Sequence, residues 1–232
     1  MLIRTLLTAL LTVSIIHVFS QTTVDPVTGN IASPNMYSIH GKAVTVTRDN
    51  IKGGSIFFND DWMNSTIITK DGKEYKNIQA RLNLLEKKVH YLNNTTEFVA
   101  DSPIGDIILM NSDNKAKYHF VNYKDKKNAL IPAEDEWYLS LHEGKISLYK
   151  LIDKSTEEVK GYGSAIADIY IKTNEKYFVL YKGELHNVSK IKQLSEILFD
   201  KGSEIDSYIK QLPKKSFESS LIDVVSYYNS LK

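Results

Sequence analysis

The middle of the chain consists of short runs in which apolar and polar residues alternate, and this pattern predicts a β-rich domain. Turn dipeptides separate the runs, and three of them, Asp71-Gly72, Glu143-Gly144 and Lys182-Gly183, predict β-hairpins. The runs that flank these turns are 66–70 and 73–78, 137–142 and 145–150, and 177–181 and 184–188, and further strands are predicted at 88–93, 96–100, 106–111, 117–124 and 165–172. No helical periodicity intervenes, which opposes a fold of alternating parallel strands and helices. Residues 53–188 are therefore predicted to form an antiparallel sheet, arranged as a β-meander or as a barrel-like or sandwich sheet.

After the last predicted strand, apolar residues recur with the 3.6-residue spacing of an α-helix. The first helix is predicted to end at Lys201-Gly202, because glycine accepts the left-handed conformation that closes a helix. Ser203 and Asp206 are predicted to cap a second helix, which Pro213 ends. A third covers about 216–231 and carries one apolar stripe. The predicted class is α+β, with two or three C-terminal helices that pack on the sheet or on one another.

Residues 1–20 have the pattern of a secretory signal peptide. Arg4 is their only charge, an apolar run covers 6–19, and the small Ser20 precedes Gln21, so cleavage is expected between Ser20 and Gln21. The apolar run is too short, and contains too many threonines and serines, to span a hydrocarbon core about 30 Å thick. We therefore expect an exported protein, periplasmic or extracellular, with no transmembrane anchor after signal cleavage.

Residues 21–52 lack a clear periodicity and contain several prolines and glycines, so we expect a poorly structured N-terminal segment with one strand near 42–47. The predicted organisation is therefore a signal peptide at 1–20, this segment at 21–52, an antiparallel β domain at 53–188 and a helical segment packed on the sheet at 189–232.

The chain has no cysteine, which excludes disulfide bridges, thiolate catalysis, cysteine-ligated metals and a lipid attached to an N-terminal cysteine. Its 29 lysines and arginines nearly balance 28 aspartates and glutamates, so loss of Arg4 with the signal peptide leaves no net formal charge. A nucleic-acid-binding protein needs a basic excess to neutralise phosphates, and electrostatic docking on an anionic membrane needs one as well. Neither kind of partner is expected.

No catalytic, cofactor-binding or metal-binding residue is predicted. The histidines after the signal peptide have none of the spacings of metal ligands, such as H-x-H or H-E-x-x-H. The most suggestive group is a candidate surface site at Asp60, Asp61 and Trp62, because an acidic pair beside an aromatic ring suits a sugar or Ca²⁺. Adjacent strand residues point to opposite faces, however, and calcium sites draw on several oxygen ligands, so the alternative is an ordinary turn.

Tyrosine is unusually frequent, with 14 residues. Several fall in predicted strands and helices, among them Tyr208, Tyr227 and Tyr228, where an aromatic ring packs on a half-buried surface and keeps its hydroxyl in water. The functional alternative is an aromatic surface that recognises a polymer or another protein.

Five segments combine an aromatic F…W element, a DGK.Y.NI hairpin and an R.NLL strand with two later motifs. They are Ile56–Trp62, Asp71–Ile78, Arg81–Leu85, Trp137–Tyr149 and Leu221–Asn229. Together they resemble a large set of exported β-rich proteins of unknown function from Bacteroidetes-type bacteria. The resemblance implies a bacterial envelope setting and brings no assigned activity.

Three hypotheses for the function follow. The first is a non-enzymatic binding or structural module of the envelope, because the sequence offers no acid–base or metal constellation. The second is a periplasmic carrier or chaperone with an apolar cavity for a lipid or an unfolded protein. The third is a hydrolase whose site is assembled from distant loops. The expected partner is an envelope protein, a lipid or a polymer of unknown identity, and no cofactor is predicted.

Overall fold

The computed structural model of the chain describes residues 41–43, 51–111, 116–122, 136–160 and 167–231. The predicted signal peptide, with its cleavage position between Ser20 and Gln21, lies outside these residues. The strands are β1 Gly41–Ala43, β2 Ile51–Gly53, β3 Met63–Thr69, β4 Glu74–Asn83, β5 Lys88–Asn93, β6 Thr96–Ala100, β7 Ile104–Met110, β8 Lys117–Asn122, β9 Trp137–His142, β10 Ser147–Val159, β11 Asp168–Tyr181 and β12 Glu184–Val188. The helices are α1 Gln193–Ile197, α2 Gly202–Gln211 and α3 Phe217–Ser230, with a 3-10 turn at Phe199–Lys201 between the first two.

These strands form one large, mostly antiparallel sheet, and the predicted α+β class is confirmed. Their order is β1-β6-β5-β4-β3-β7-β8-β9-β10-β11-β12, and β2 pairs in parallel with β11. The three predicted hairpins are present as β3–β4, β9–β10 and β11–β12. In β3 every second residue from Met63 to Thr69 is buried, as expected of a strand with one face in a core. The alternation in the sequence therefore reports the buried face correctly.

Strand β10 is much longer than its predicted run at 145–150, and β11 joins two predicted runs, 165–172 and 177–181, in one strand. They pair continuously from Ser147 opposite Leu180 to Val159 opposite Asp168. Beyond residue 152 they project from the sheet as a two-stranded arm, and residues 155–159 and 172–176 are exposed. Residues 155–159 and 172–176 have no buried face, so no apolar alternation marks them in the sequence, whereas Ile169 and Ile171 of β11 pack with Ile56 and Phe57.

The half of the sheet that contains β3 to β7 is strongly curled. Three other strands separate β6 from β7 in the sheet, which is about 19 Å in a flat sheet at about 4.8 Å per strand. Only residues 101–103 connect Ala100 to Ile104, and four extended residues reach about 14 Å. The sheet must therefore curl to bring β6 towards β7. A hydrogen bond of 2.9 Å from the Trp137 indole to the carbonyl of Lys87 also joins β9 to the β4–β5 turn.

Two large hydrophobic cores and two smaller clusters lie on the described part of the sheet. The inner core fills the curl and includes Ile67, Leu82, Ile107, Leu109 and Phe120, all fully buried. The helical core lies where the three helices cover β9 to β12, and it consists of Ile146, Leu148, Val179, Tyr181, Val188, Leu194, Leu198, Ile205, Leu221, Val224, Val225 and Tyr228. The helical segment thus packs on the end of the sheet that the curl leaves open.

Residues 51–62 form a strap that runs from the arm to the curled half of the sheet. At one end Ile51 pairs with Ile169 of β11. At the other end Phe58 donates a backbone hydrogen bond of 2.8 Å to Leu82 of β4. Gly54 makes the crossing possible, because its φ is +79° and a Cβ atom there would lie 2.6 Å from the carbonyl oxygen of Ile171. The strap fixes the position of the residues around Trp62.

The first two helices differ in detail from the prediction. Gly202 does not close α1; it is the first residue of α2, with helical φ and ψ of −55° and −40°. A Cβ atom at this position would lie 2.8 Å from the carbonyl oxygen of Ser195, so the glycine serves the close approach of α1. Ser203 does not cap α2 either, since Lys201 occupies the cap position without a side-chain hydrogen bond.

The third helix begins and ends close to the prediction. Ser216 caps α3 by accepting a hydrogen bond from the backbone N–H of Ser219. Its apolar stripe lies in the helical core, with Leu221, Val224 and Tyr228 buried. None of the helices in the described part of the chain has the length and apolar character needed to cross a membrane.

Candidate binding cleft

An open cleft crosses β8 to β11 between the strap and the first turn of α3. It lies at the boundary of the inner core and the helical core, and its volume is about 530 Å³. Its lining residues are Phe58, Lys117, Tyr118, Leu139, Ser140, Leu141, Lys150, Ile152, Lys154, Thr173, Glu175 and Glu218. We call it the central cleft. Its size falls within the roughly 300–1,000 Å³ of small-ligand sites, and its lining combines apolar side chains with a few charged groups.

Lys150 joins the sheet to α3 at one end of the central cleft. Its ammonium lies 2.8 Å from Glu175 of β11 and 2.9 Å from Glu218 in the first turn of α3. The Tyr177 hydroxyl also donates to Glu218, at 3.0 Å. Burial alone would lower the pKa of Lys150, but the two carboxylates outweigh it and raise that pKa. Lys150 therefore stays charged and holds α3 against the sheet.

Burial and the two glutamates also act on Tyr177. Burial is the larger cause, the hydrogen bond to Glu218 adds to it, and together they raise the pKa of Tyr177 to about 12. The hydroxyl therefore remains protonated at neutral pH and acts as a hydrogen-bond donor between the sheet and the helix. Four side chains from β10, β11 and α3 therefore share one hydrogen-bond network at this end of the cleft.

Lys154 fixes the strap at the other end of the central cleft. Its ammonium donates hydrogen bonds to the backbone carbonyl oxygens of Ser55, at 2.6 Å, and of Phe57. Burial lowers the pKa of Lys154, and the negative charge of Asp60 opposes this shift. Lys117 contributes a third amine at the rim, where its side chain is exposed.

Aromatic rings form the apolar wall of the cleft. The Phe58 ring meets the Tyr118 ring edge to face at a centroid distance of 4.9 Å and the Phe120 ring at 4.8 Å. Phe120 is fully buried in the inner core, whereas Phe58 and Tyr118 are half-buried and line the cleft. The wall is thus anchored in the core beneath it.

A polar network holds the strap on the outer face of β4, β5 and β6. Arg81 lies between two aromatic rings of the strap, 3.9 Å from the centre of Phe57 and 4.3 Å from that of Trp62. Its guanidinium donates to Glu97 at 2.8 Å, and His90 Nδ1 donates to the other carboxylate oxygen of Glu97 at 2.6 Å. Asn83 lies 3.4 Å from His90 Nε2. We call Arg81, Phe57, Trp62, Glu97, His90 and Asn83 the Arg81 network.

The charges of the Arg81 network are deeply placed. His90 is 2% exposed and Asn83 is not exposed at all. Burial alone would raise the pKa of Glu97, but the hydrogen bonds from Arg81 and His90 outweigh it and lower that pKa. The carboxylate is therefore ionised between two donors. Because His90 and Asn83 are buried while Arg81 and Glu97 are only slightly exposed, the network holds the strap against the sheet.

The candidate surface site from the sequence lies on the strap, beside the central cleft and not in it. Asp60 and Asp61 are exposed, and the Asp60 carboxylate accepts a hydrogen bond of 2.5 Å from Ser55. The carbonyl of Asp60 accepts one of 3.3 Å from Arg81, and Trp62 stacks on the same guanidinium. No group of three or more acidic and histidine side chains in the described ranges is arranged to hold a metal ion. Asp60 and Trp62 therefore contact the elements that hold the strap.

The sequence did not predict that lysines and glutamates line the central cleft. The spacing in β10 gives one indication for the lysines, because Leu148, Lys150, Ile152 and Lys154 lie on one face of the strand. Two lysines interleaved with buried aliphatic residues indicate amines that face an interior or a cleft. Glu175 and Glu218 carry no comparable signal, since the one lies in an exposed stretch and the other in an ordinary first helical turn.

A second titratable cluster surrounds His119 and its cross-strand partner Ser140, which also lines the central cleft. His119 of β8 makes contacts of 2.9 Å to Asp106 and 3.2 Å to Glu143, through Nε2 and Nδ1 respectively. The hydrogen bond with Asp106 raises the pKa of His119, and burial opposes it to a smaller extent. Ser140 donates to Glu143 at 2.8 Å, so its hydroxyl is directed at the carboxylate and not at the imidazole. The cluster contains a serine, a histidine and two carboxylates, and the serine hydroxyl pairs with Glu143 rather than with His119.

Two further clefts lie in the described part of the chain, and both are open. One of about 350 Å³ lies beside β5 and β7 and is lined by Lys70, Lys87, Lys88, Val89, Ala100, Asp101, Ser102, Pro103, Ile104, Asn122 and Trp137. The other, of about 450 Å³, lies between α2 and α3. Comparison of the chain with family models, with curated proteins and with solved structures finds no match.

Proposed function

We propose that the protein is an exported, non-enzymatic binding module of the bacterial envelope and that the central cleft is its binding site. The observation that carries this proposal is the composition of the cleft, in which three lysines stand around an apolar wall made of Phe58 and Tyr118. Export and the envelope setting rest on the signal-peptide pattern and on the resemblance of the sequence. The location is therefore periplasmic or extracellular.

The charges of the cleft favour a ligand with an anionic group. Lys150 is already paired with Glu175 and Glu218, whereas Lys117 stands at the rim and Lys154 is held by backbone carbonyl groups. No carboxylate of this cleft lies within salt-bridge distance of Lys117 or Lys154. An anion in the cleft would therefore meet two ammonium groups that are not already in an ion pair. The adjoining rings and aliphatic side chains favour an apolar or aromatic part next to that anion. The proposed ligand class is an anionic molecule or peptide segment with an apolar portion.

Anilinonaphthalene sulfonate is a suitable probe, because it combines an aromatic portion with one anionic group. We expect saturable fluorescence enhancement with the folded protein at one site. Lys117→Glu reverses a rim charge and should weaken the affinity by about tenfold. Phe58→Leu keeps an apolar side chain but removes the aromatic wall, and should weaken it by severalfold.

Lys190→Glu is the matched control, since Lys190 is exposed and lies in the turn before α1, outside the cleft lining. This variant should bind the probe as the wild type does. Equal affinity in wild type, Lys117→Glu and Phe58→Leu would contradict the proposal. Molecules captured from envelope extract should likewise be lost with Lys117→Glu and kept with Lys190→Glu.

A hydrolase is the second candidate, because His119 lies within hydrogen-bonding distance of both Asp106 and Glu143. Hydrolysis of a chromogenic acyl ester by the wild type, abolished by His119→Gln and by Ser140→Ala, would support it. Activity that is absent, or equal in the variants, would remove it. The carrier hypothesis gains no support from the three clefts described above, since each is open and has charged lining residues.

A further inference from the structure

The cleft between α2 and α3 is lined by two tyrosines and four hydrogen-bonding side chains. Tyr208 of α2 and Tyr227 of α3 stack face to face, with ring centroids 4.1 Å apart and planes 5° apart. The other lining residues are Ser203, Glu204, Ser207 and Gln211 of α2. Because residues three and four apart share a helix face, these side chains form one surface along α2.

Stacking fixes the orientation of the rings before any ligand binds. Both tyrosines are half-buried, and their neighbours Ile205 and Tyr228 belong to the helical core. A ring that is already held loses little side-chain entropy when a ligand covers it. The paired rings therefore provide a rigid aromatic face at the edge of an open cleft of about 450 Å³.

The lining chemistry excludes two common ligand classes. It includes no lysine or arginine, and Glu204, whose charge a 3.9 Å contact with Lys201 only partly offsets, disfavours phosphates and other anions. It also includes no aliphatic side chain, so it gives a fatty acyl chain little apolar surface beyond the tyrosine rings. What remains are hydroxyl, amide and carboxylate groups, which both donate and accept hydrogen bonds, next to an aromatic face.

A neutral sugar matches this combination. The C–H groups of a pyranose ring present a weakly positive face that packs on the electron-rich face of an aromatic ring. Its hydroxyl groups pair with carboxylate, amide and serine oxygens. We propose that the α2–α3 cleft binds a neutral oligosaccharide, with the Tyr208–Tyr227 pair as the stacking platform and with Gln211 and Glu204 as hydrogen-bonding partners. We call it the platform site.

The platform site is separate from the central cleft, with which it shares no lining residue. The test uses three neutral hexasaccharides, of maltose, cellulose and chitin type, and a heparin oligosaccharide as the polyanionic comparison. Titration calorimetry of the full mature chain should detect at least one neutral ligand. Heparin should bind more weakly than that ligand, because of Glu204.

Three variants decide the assignment. Tyr208→Ala removes the platform, and Gln211→Ala removes an exposed polar side chain without touching the core; each should weaken binding by about tenfold. Tyr170→Ala is the control, because Tyr170 is an exposed tyrosine on β11, outside the platform site. It should bind as the wild type does.

The proposal is overturned if none of the neutral hexasaccharides binds, if heparin binds more tightly, or if Gln211→Ala and Tyr208→Ala leave the affinity unchanged. The readout is also independent of the proposed central-cleft function. Gln211→Ala should retain the binding of anilinonaphthalene sulfonate, and Lys117→Glu should retain the binding of the oligosaccharide.

Discussion

The guanidinium carbon of Arg81 lies 4.3 Å from the centre of the Trp62 ring, and this contact joins the strap to the curled sheet. Arg81 also pairs with Glu97 of β6, whose carboxylate receives a second hydrogen bond from His90. One side chain thus links three strands of the sheet to the residues that precede β3. The position of the strap, and with it the Phe58 wall of the central cleft, depends on this link.

Replacement of Arg81 by alanine should strongly destabilise the protein. The variant leaves Glu97 and His90 in a largely buried site without their cation, and removal of one partner from a buried pair costs about 3–5 kcal/mol. The measurement is the free energy of unfolding in urea. Lys172→Ala is the control, since its pair with Glu157 is on the exposed arm, and it should change that free energy by less than about 1 kcal/mol. Equal effects of the two variants would contradict the role of the network.

The hairpins of this fold are readable from the sequence, whereas the network around Arg81 is not. Asp71-Gly72 and Lys182-Gly183 mark turns locally, because a turn and its flanking alternation lie within about a dozen residues. Arg81 and Glu97 come together through the pairing of β4, β5 and β6, and Phe57 joins them through the strap. Aromatic and charged residues that follow no periodicity do not indicate in the sequence which side chains they contact.

The central cleft could not be predicted from the sequence for a similar reason. Its lysines leave a trace in the alternation of β10, but Phe58 reaches it through the strap and Glu218 through α3. The extension of β10 beyond residue 150 was not predicted either, since residues 155–159 are exposed and show no apolar alternation. Local patterns report the faces of elements, whereas sites assembled from several elements require the tertiary arrangement.

Gly202→Ala should destabilise the protein although it places a better helix former in a helix. A Cβ atom would lie 2.8 Å from the carbonyl oxygen of Ser195, and the resulting overlap typically costs about 1–3 kcal/mol. Gly105→Ala is the matched control, because the nearest atom to its Cβ would be 3.6 Å away. That variant should stay within about 0.5 kcal/mol of the wild type. Thermal unfolding of both variants checks this, and a stabilised Gly202→Ala would contradict the close approach of α1.

Lys150→Met should loosen α3 from the sheet. The variant leaves Glu175 and Glu218 without their shared cation, and because both carboxylates are partly exposed the loss should be about 1–2 kcal/mol of unfolding free energy. Adding Glu218→Gln removes one of the uncompensated charges and should recover part of that loss. Hydrogen exchange of the α3 amides should rise in the single variant and fall back in the double variant. A double variant less stable than Lys150→Met would contradict the proposed ion pair.

The contribution of His119 to stability should depend on pH. The hydrogen bond with Asp106 raises the pKa of His119 in the folded state, so the protonated imidazole stabilises the fold. This stabilisation is complete below the pKa of an unfolded histidine, about 6.5, and is lost as the pH rises through the higher folded value. His119→Gln should therefore be less stable than the wild type at about pH 5.5, and the difference should shrink towards about pH 9.

Asp106 and Glu143 are the charged groups in contact with His119, and Asp106→Asn should reduce this pH dependence because it removes the main partner. Urea unfolding across the pH range gives the comparison. A difference between His119→Gln and the wild type that is constant, or that grows with pH, would show that the imidazole is not stabilised as a cation.

The most direct test of the binding-module proposal is a map of the ligand on the protein. Backbone amide chemical shifts of the mature chain are recorded while anilinonaphthalene sulfonate is added. If the probe binds in the central cleft, saturable shift changes should be concentrated at Tyr118 of β8, Leu141 of β9 and Lys154 of β10. In Lys117→Glu these shift changes should no longer reach saturation. Shifts concentrated on another face of the protein, or spread without saturation over the whole sheet, would contradict it.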